Sequence, residues 1–464
     1  MVVALLLGSC SEQPPRADLA LVGATLFDGS GAPPLTDAVV LVRRGRIAQV
    51  GRREDLPVTR ETVTLDLSGK WIVPGLIDTH VHLPDSAGAE RVLGALVRSG
   101  ITAVRVAAGD LEVDTRLRER VTRGDLLGPR MKLAGRLMDA PGGIFAGWAA
   151  EVTDSLEVTN EIRAQLVSGA DLVKVYRELP PDLVRVAVRE AHAQGLSVLG
   201  HLGATTWTEA ARDGIDGVSH FGPYGTPWEL LPQTSWESVR RSVVDCRGDG
   251  AGFEALRRVD LSRSAEVAVL ASVLTDHGVN VDPNLVLLRA VLWGDDPATR
   301  TWLNADPSGD APSDSFMTAL PHPYAAGCSP AWRAEARATF PCFLELFREL
   351  HARGVQMTIG TDLMNPWMTP GVSYQREMEL WADAGISARA ILLAATRTGG
   401  KALDPAHELG RVSAGYRADL VVLDADPLLD IANVARIDAV LHDGRIVFAS
   451  EEGAVAAQLS RTNG

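Results

Sequence analysis

Between about residues 71 and 399 the chain alternates short apolar runs with longer amphipathic stretches, the rhythm of repeated β-then-α units around a parallel sheet. Eight runs recur: IVPGLIDTH (72–80), ITAVRV (101–106), RMKLAGR (130–136), DLVKVY (171–176), LSVLGH (196–201), IDGVSH (215–220), VNVDPNL (279–285) and VQMTIGTD (355–362). Most follow an amphipathic stretch that stops at a glycine, as in RVLGALVRSG before 101, EAHAQG before 196 and ELHARG before 355. Glycine is the residue that takes the left-handed turn ending a helix. Eight such units predict an α/β fold of the (β/α)8 TIM-barrel type over 71–399, with its reactive groups at the C-terminal ends of the strands.

The two ends of the chain read differently. Residues 18–70 and 400–450 are rich in strands and turns, and AVVLVRRGRIAQV (38–50) and AVLHDGRIVFA (439–449) share one hairpin design. The matching halves predict one small composite β-sandwich, leaving 451–464 as a tail. Residues 222–340 include stretches rich in Pro, Gly, Asp and Trp, and are expected to hold lid insertions that wall a pocket beside the strand ends.

The opening, MVVALLLGSCSEQPPRAD, resembles a bacterial lipoprotein signal with LGSC as lipobox. On that reading 1–17 is signal and tether, acylated Cys10 anchors the chain to a membrane, and the protein is periplasmic or a cell-envelope lipoprotein; otherwise it is cytoplasmic. Cys246, Cys328 and Cys342 then remain, and their spacing makes Cys328 and Cys342 the nearest disulfide candidates. Forty-five basic against 59 acidic residues give a net charge of −14 without a basic stripe, so no nucleic-acid partner is expected. A small-molecule substrate is expected instead, and an oligomer is compatible with the sequence.

Candidate chemistry gathers where the runs end. His80 and His82 close the first run two residues apart, so in a strand both imidazoles face one way. His201 closes the fifth run, His220 the sixth and Asp362 the eighth. Four imidazoles and a carboxylate make a borderline-soft donor set that suits zinc best, with manganese, cobalt, iron and nickel also compatible. Lys174, one of only four lysines, lies inside the apolar run DLVKVY. Burial and a nearby dication would drive it toward the neutral amine, which combines with carbon dioxide to give an N6-carboxylysine that can bridge two metals.

PGLIDTHVH, VKVY, GHLG, GIDGVSHF and GTD, with the closing LGRVSAGYRADLVVLDADPL, resemble the amidohydrolase superfamily over about residues 20–450. The pattern is similar to its binuclear carboxylated-lysine branch, which includes Xaa-Pro dipeptidases and imidazolonepropionase-like enzymes. For this chain the resemblance implies two divalent metal ions: one held by His80, His82, Lys174 and Asp362, the second by Lys174, His201 and His220, with a water bridging both. It also implies hydrolysis of an amide bond, whether peptide, N-acyl or cyclic, by a metal-bridging hydroxide. Asp362 would hold the nucleophile and carry its proton to the leaving group.

Departures from the dipeptidase-like pattern fall at substrate-reading positions: Arg105-Val106, Gly142-Gly143-Ile144 and Tyr176-Arg177-Glu178. Tyr224, Tyr176, Arg177 and His322 are candidate substrate contacts. Lactonase, esterase or phosphotriesterase chemistry in the same cage is the alternative, followed by a non-catalytic binding lipoprotein.

Overall fold

The structure is a computed structural model that describes residues 17–462 apart from 85, 144, 146–148, 223–224, 226, 232–235, 237–249, 251, 305–327, 366, 405 and 407. Cys10, Tyr224 and His322 therefore lie outside the described residues.

Strands from both ends of the chain build one sheet. Its members are β1 (Leu19–Leu26), β2 (Leu35–Arg43), β3 (Arg46–Arg52), β4 (Val63–Asp66), β5 (Trp71–Pro74) and, from the far end, β15 (Leu420–Leu423), β16 (Ile437–His442) and β17 (Arg445–Ala449). The order is β17-β16-β15-β5-β1-β2-β3, and β4 pairs with β1. Hence β5 joins the two halves, parallel to β1 and antiparallel to β15. The first predicted run is thereby corrected, because 72–80 divides at Gly75 instead of forming one strand. Pro74 has no N–H to extend a ladder, and a Cβ at Gly75 would sit 2.0 Å from Thr102 Oγ1. The Gly75 N–H donates to Asp419 C=O, and the parallel strand begins at Leu76.

The remaining strands are parallel: β6 (Leu76–Val81), β7 (Ile101–Val106) and β8 (Arg130–Leu133) in one sheet; β9 (Met138–Asp139), β10 (Ala150–Glu151), β11 (Leu172–Val175), β12 (Ser197–Gly200), β13 (Gly217–Ser219) and β14 (Asn280–Asp282) in another. Parallel strands covered on both faces read as near-continuous apolar runs, and every residue of β6, β7, β11 and β13 is buried, the few polar and charged ones included. Isolated parallel bridges link Ala134 to Leu172, Val281 to Met357 and Val81 to Leu363. The eighth run, 355–362, forms no regular strand. It is nevertheless bonded on both sides: Val281 N–H to Gln356 C=O and Thr358 N–H to Val281 C=O on one, Thr79 N–H to Ile359 C=O and Asp362 N–H to His80 C=O on the other.

Helices follow the strands with the expected punctuation. Gly100, Gly195 and Gly354 stand at φ +82°, +75° and +86°, the left-handed turn that only glycine takes without strain. Asp110 and Asp154 cap helices Leu111–Arg123 and Ser155–Val167 through their carboxylates. Within the described parts of 222–340, Phe253 and Trp332 are buried edge to face, 5.4 Å between ring centres.

Among the cysteines, Cys342 is a free, half-buried thiol whereas Cys328 is disulfide-bonded, so the expected 328–342 pairing is not made. Cys328 stands just before the helix Pro330–Ala352 that carries Cys342. At 1.5 Å per residue the helix holds the two about 18 Å apart, well beyond the roughly 7 Å a disulfide spans.

Candidate metal centre

The six predicted ligands lie in or just past strands β6, β11, β12 and β13 and at the end of the eighth segment. His80 is near the end of β6 and His82 just past it; Lys174 lies in β11, His201 directly follows β12, His220 directly follows β13, and Asp362 ends the eighth segment. All are buried except His82, which is partly exposed. His220 and Asp362 take left-handed backbone angles, φ +75° and +56°, sparsely populated by non-glycine residues and concentrated at functional sites. Both turns are pinned by main-chain bonds, His220 N–H to Asp282 C=O at 2.8 Å and Asp362 N–H to His80 C=O at 2.7 Å.

The side chains converge. Ligating atoms of His80, His82 and Asp362 lie within 4.8 Å of one another. Asp362 Oδ1 is 3.0 Å from His82 Nε2 and 3.5 Å from His80 Nε2. On the other oxygen, Oδ2 is 3.9 Å from His220 Nδ1. Ring centres of His80 and His220 are 4.8 Å apart, and those of His201 and His220 4.3 Å. His82 is oriented by Ala108 C=O, 2.9 Å from its Nδ1. Lys174 Nζ has one hydrogen bond among the described residues, at 3.5 Å to Ser219 Oγ, and no ion pair.

These contacts leave polar atoms buried without hydrogen bonds: Asp362 Oδ1, His220 Nδ1 and His80 Nδ1. A buried acceptor or donor of this kind normally finds a partner. Two imidazoles and a carboxylate oxygen facing one point are the donors a divalent transition metal takes, so the residues fit such an ion.

Electrostatics agree with a ligand role. Burial pushes His80 down to about 4, reinforced by the Lys174 charge, so its imidazole is neutral. His220 is also held low, by burial and then by His201. Burial opposes ionisation of Asp362, but His80, His82 and His220 hold its carboxyl below the ordinary range. Lys174 falls to about 7, chiefly because it is buried.

Tyr176 and Arg177, two predicted substrate contacts, follow β11 and are buried. The Tyr176 ring stands 4.6 Å from that of His201 and 5.6 Å from that of Phe145. Beneath the candidate ligands lies a buried layer of which only Arg105 stood out in the sequence, as a departure at a substrate-reading position. Asp78 accepts from Thr361 Oγ1 at 2.7 Å, and burial pushes its carboxyl up to about 8. Asp282 is met by Arg105 and the hydroxyls of Thr79 and Thr358. Their signal in the sequence is a charge inside an apolar run, as in LID, AVRV and VNVD.

Comparison with known proteins agrees with this geometry. The model of the amidohydrolase family matches residues 71–225 and 343–447. Imidazolonepropionase of Mycolicibacterium smegmatis is 26% identical over 442 residues, covering 90% of this chain and 93% of its own. Among solved structures, a Bifidobacterium longum protein described as a candidate prolidase superposes with a TM-score of 0.70 at 22% identity, covering 96% of this chain and 99% of that one. A Xaa-Pro dipeptidase with methionine bound in its active site superposes with a TM-score of 0.67 at 18% identity, covering 93% and 100%. The chain belongs to the amidohydrolase family, enzymes that hydrolyse carbon–nitrogen bonds.

Proposed function

We propose that the protein is a metal-dependent hydrolase that cleaves an amide bond of a small molecule at the His80, His82, Lys174, His201, His220 and Asp362 cluster, on the C-terminal rim of a (β/α)8 barrel. Support for the barrel comes from the parallel pairings, which run through β6, β7, β8, β11, β12, β13 and β14 to the eighth segment and return to β6 through Val81 and Leu363. The observation that carries the function is the convergence of His80, His82 and Asp362 on one point, with a buried carboxylate oxygen left without a hydrogen bond.

His80, His82 and Asp362 would hold one divalent ion and His201 and His220 a second, with Lys174 reaching both as its carbamate. A fully buried ammonium whose sole bond among the described residues is a long one to Ser219 supports modification. Such ions would polarise the scissile carbonyl and acidify water near neutral pH. Asp362 accepts the water proton and delivers it to the leaving nitrogen, a role suited to a carboxylate kept ionised by its imidazole neighbours. Tyr176, whose ring lies 4.6 Å from that of His201, and Arg177, the next residue, would serve as substrate contacts. Amide hydrolysis agrees with relatives named imidazolonepropionase and a structural neighbour named Xaa-Pro dipeptidase.

Elemental analysis of the purified protein tests this reading, the expected result being two divalent ions per chain, zinc foremost. One ion, or ligands other than these six, would contradict it. An activity screen over dipeptides, N-acyl amino acids and cyclic amides, with lactones as the contrast, then reads the bond cleaved. Asp362→Asn should lower turnover by about 10²- to 10⁴-fold, the range of a lost general base. Residual activity above about a third of wild type would assign the base elsewhere.

A further inference from the structure

Under the ligands, β6, β7 and β14 share a buried charged knot. Asp282, at the end of β14, accepts from Thr79 Oγ1 at 2.6 Å, from Thr358 Oγ1 and from Arg105 Nη2. Arg105 Nε holds Thr79 C=O at 2.6 Å, one residue before His80. Both charges are almost fully buried. A buried Arg–Asp pair is weak evidence of stabilisation, since apolar replacements of the same volume often serve as well or better. Its placement offers another reason. His80 Nδ1 is buried without a hydrogen bond, and Asp282 Oδ2 lies 3.7 Å from it, while Nε2 on the far side of the ring faces Asp362.

We propose that Asp282 is a positioning residue for the metal centre: it fixes the tautomer and orientation of His80 by accepting the Nδ1–H, which leaves the Nε2 lone pair for the metal. The proposal rests on the metal-site reading above. An imidazole that ligates through Nε2 carries its proton on Nδ1, and ligating histidines ordinarily donate that proton to a carboxylate or carbonyl. Asp282 is placed to take it. Closing 3.7 Å to a hydrogen bond needs a shift of about 0.8 Å, which rotation about the soft ring torsion of His80 supplies. Asp282 itself is held by two hydroxyls and the guanidinium, so the movement falls to the ring. The same residue sets His220 through its main chain, where its C=O accepts the His220 N–H at 2.8 Å. One residue thus registers an imidazole in each half of the cluster, His80 by side chain and His220 by backbone. A side-chain substitution separates the two.

The test compares wild type and Asp282→Asn, both zinc-loaded. In wild type labelled with 15N-histidine, His80 should show a protonated Nδ1 with a hydrogen-bonded, downfield proton and a zinc-bound Nε2. Asp282→Asn should lose that proton signal and bind zinc 10- to 100-fold more weakly in competition with a chelator. His220 ring resonances should keep their wild-type positions, whereas a merely structural role would disturb both rings together. Zinc affinity within about twofold of wild type, or a wild-type His80 that ligates through Nδ1, would overturn the proposal and leave the metal site standing. A wild type that takes up no metal would overturn the metal-site reading and this one with it. Should the variant fail to fold, the wild-type spectrum decides alone.

Discussion

At the scale of the residue, Lys174 carries the sharpest expectation. A buried ammonium with a single 3.5 Å bond to Ser219 Oγ among the described residues is poorly solvated as a cation, which is the ground for the carbamate proposed above. Lys174→Ala should lose metal and activity together, with partial recovery of both when short carboxylic acids are added to occupy the vacated space. Lys174→Arg should not recover, because guanidinium stays protonated and forms no carbamate. Full activity in the arginine variant would remove a modified lysine from the mechanism. His80, His82, His201, His220 and Asp362 were legible in the sequence because each closes an apolar run, where strand geometry gives it a defined direction. Asp282 was not picked out, and Arg105 was noted only as a departure at a substrate-reading position: their partners come from separate segments of the chain, and no spacing within one strand announces a contact made across a sheet.

At the scale of the element, the eighth segment shows how a glycine can serve a side chain elsewhere. A Cβ on Gly360 would stand 2.8 Å from His80 Cβ and 3.0 Å from Asn284 Nδ2, so the GTD turn passes closer beneath His80 than any other residue allows. Gly360→Ala is therefore expected to push His80 from its place. Overpacking of this kind costs about 1–3 kcal/mol, and thermal unfolding of the metal-free protein measures it. Metal affinity should fall as well. Unchanged melting and unchanged affinity would mean that the segment relaxes freely. The run itself was legible as VQMTIGTD, but its failure to form a regular strand was not, because side-chain and turn bonds around Thr361 replace ladder bonds: Thr361 Oγ1 donates to Asp78, and Leu363 N–H donates to Thr361 Oγ1. The small pair β9 and β10 went unseen for a simpler reason, two residues being too short for any periodicity.

Across the whole molecule, another buried carboxylate ties distant parts together. Glu377, on helix Val372–Asp383, accepts the Val286 N–H at 2.6 Å and Trp381 Nε1–H at 2.9 Å, and so holds the start of helix Leu285–Trp293. Burial pushes its carboxyl up to about 7 from an ordinary 4.5, despite those donors. The folded state thus holds this proton more tightly than the unfolded chain does. Its contribution to stability is complete below about pH 4.5 and declines as pH rises through about 7. Denaturant titrations from pH 4.5 to 8 should show a steeper decline in wild type than in Glu377→Gln, which keeps the raised Asp78 carboxyl; parallel curves for the two proteins would refute it. The alternation of runs and amphipathic stretches and the paired hairpins at the two ends were legible at this scale. The division at Gly75 was hidden, since IVPGLIDTH reads as a continuous apolar run until a neighbouring Thr102 is present to forbid a side chain there.

Asp362 N–H bonds to His80 C=O, and the two residues are 282 positions apart (362 − 80). That single bond sets a schedule for the protein's birth. A chain still emerging during synthesis carries His80 and His82 early and Asp362 late, so no nascent fragment short of the eighth segment owns the assembled pocket. Contacts of such sequence separation form late in folding, after the local units. On the metal-site reading proposed above, metal capture would double as proof of completion: an ion retained with native affinity would certify that the eighth segment has docked against the first parallel strand, and a misfolded copy should announce itself by letting the ion go.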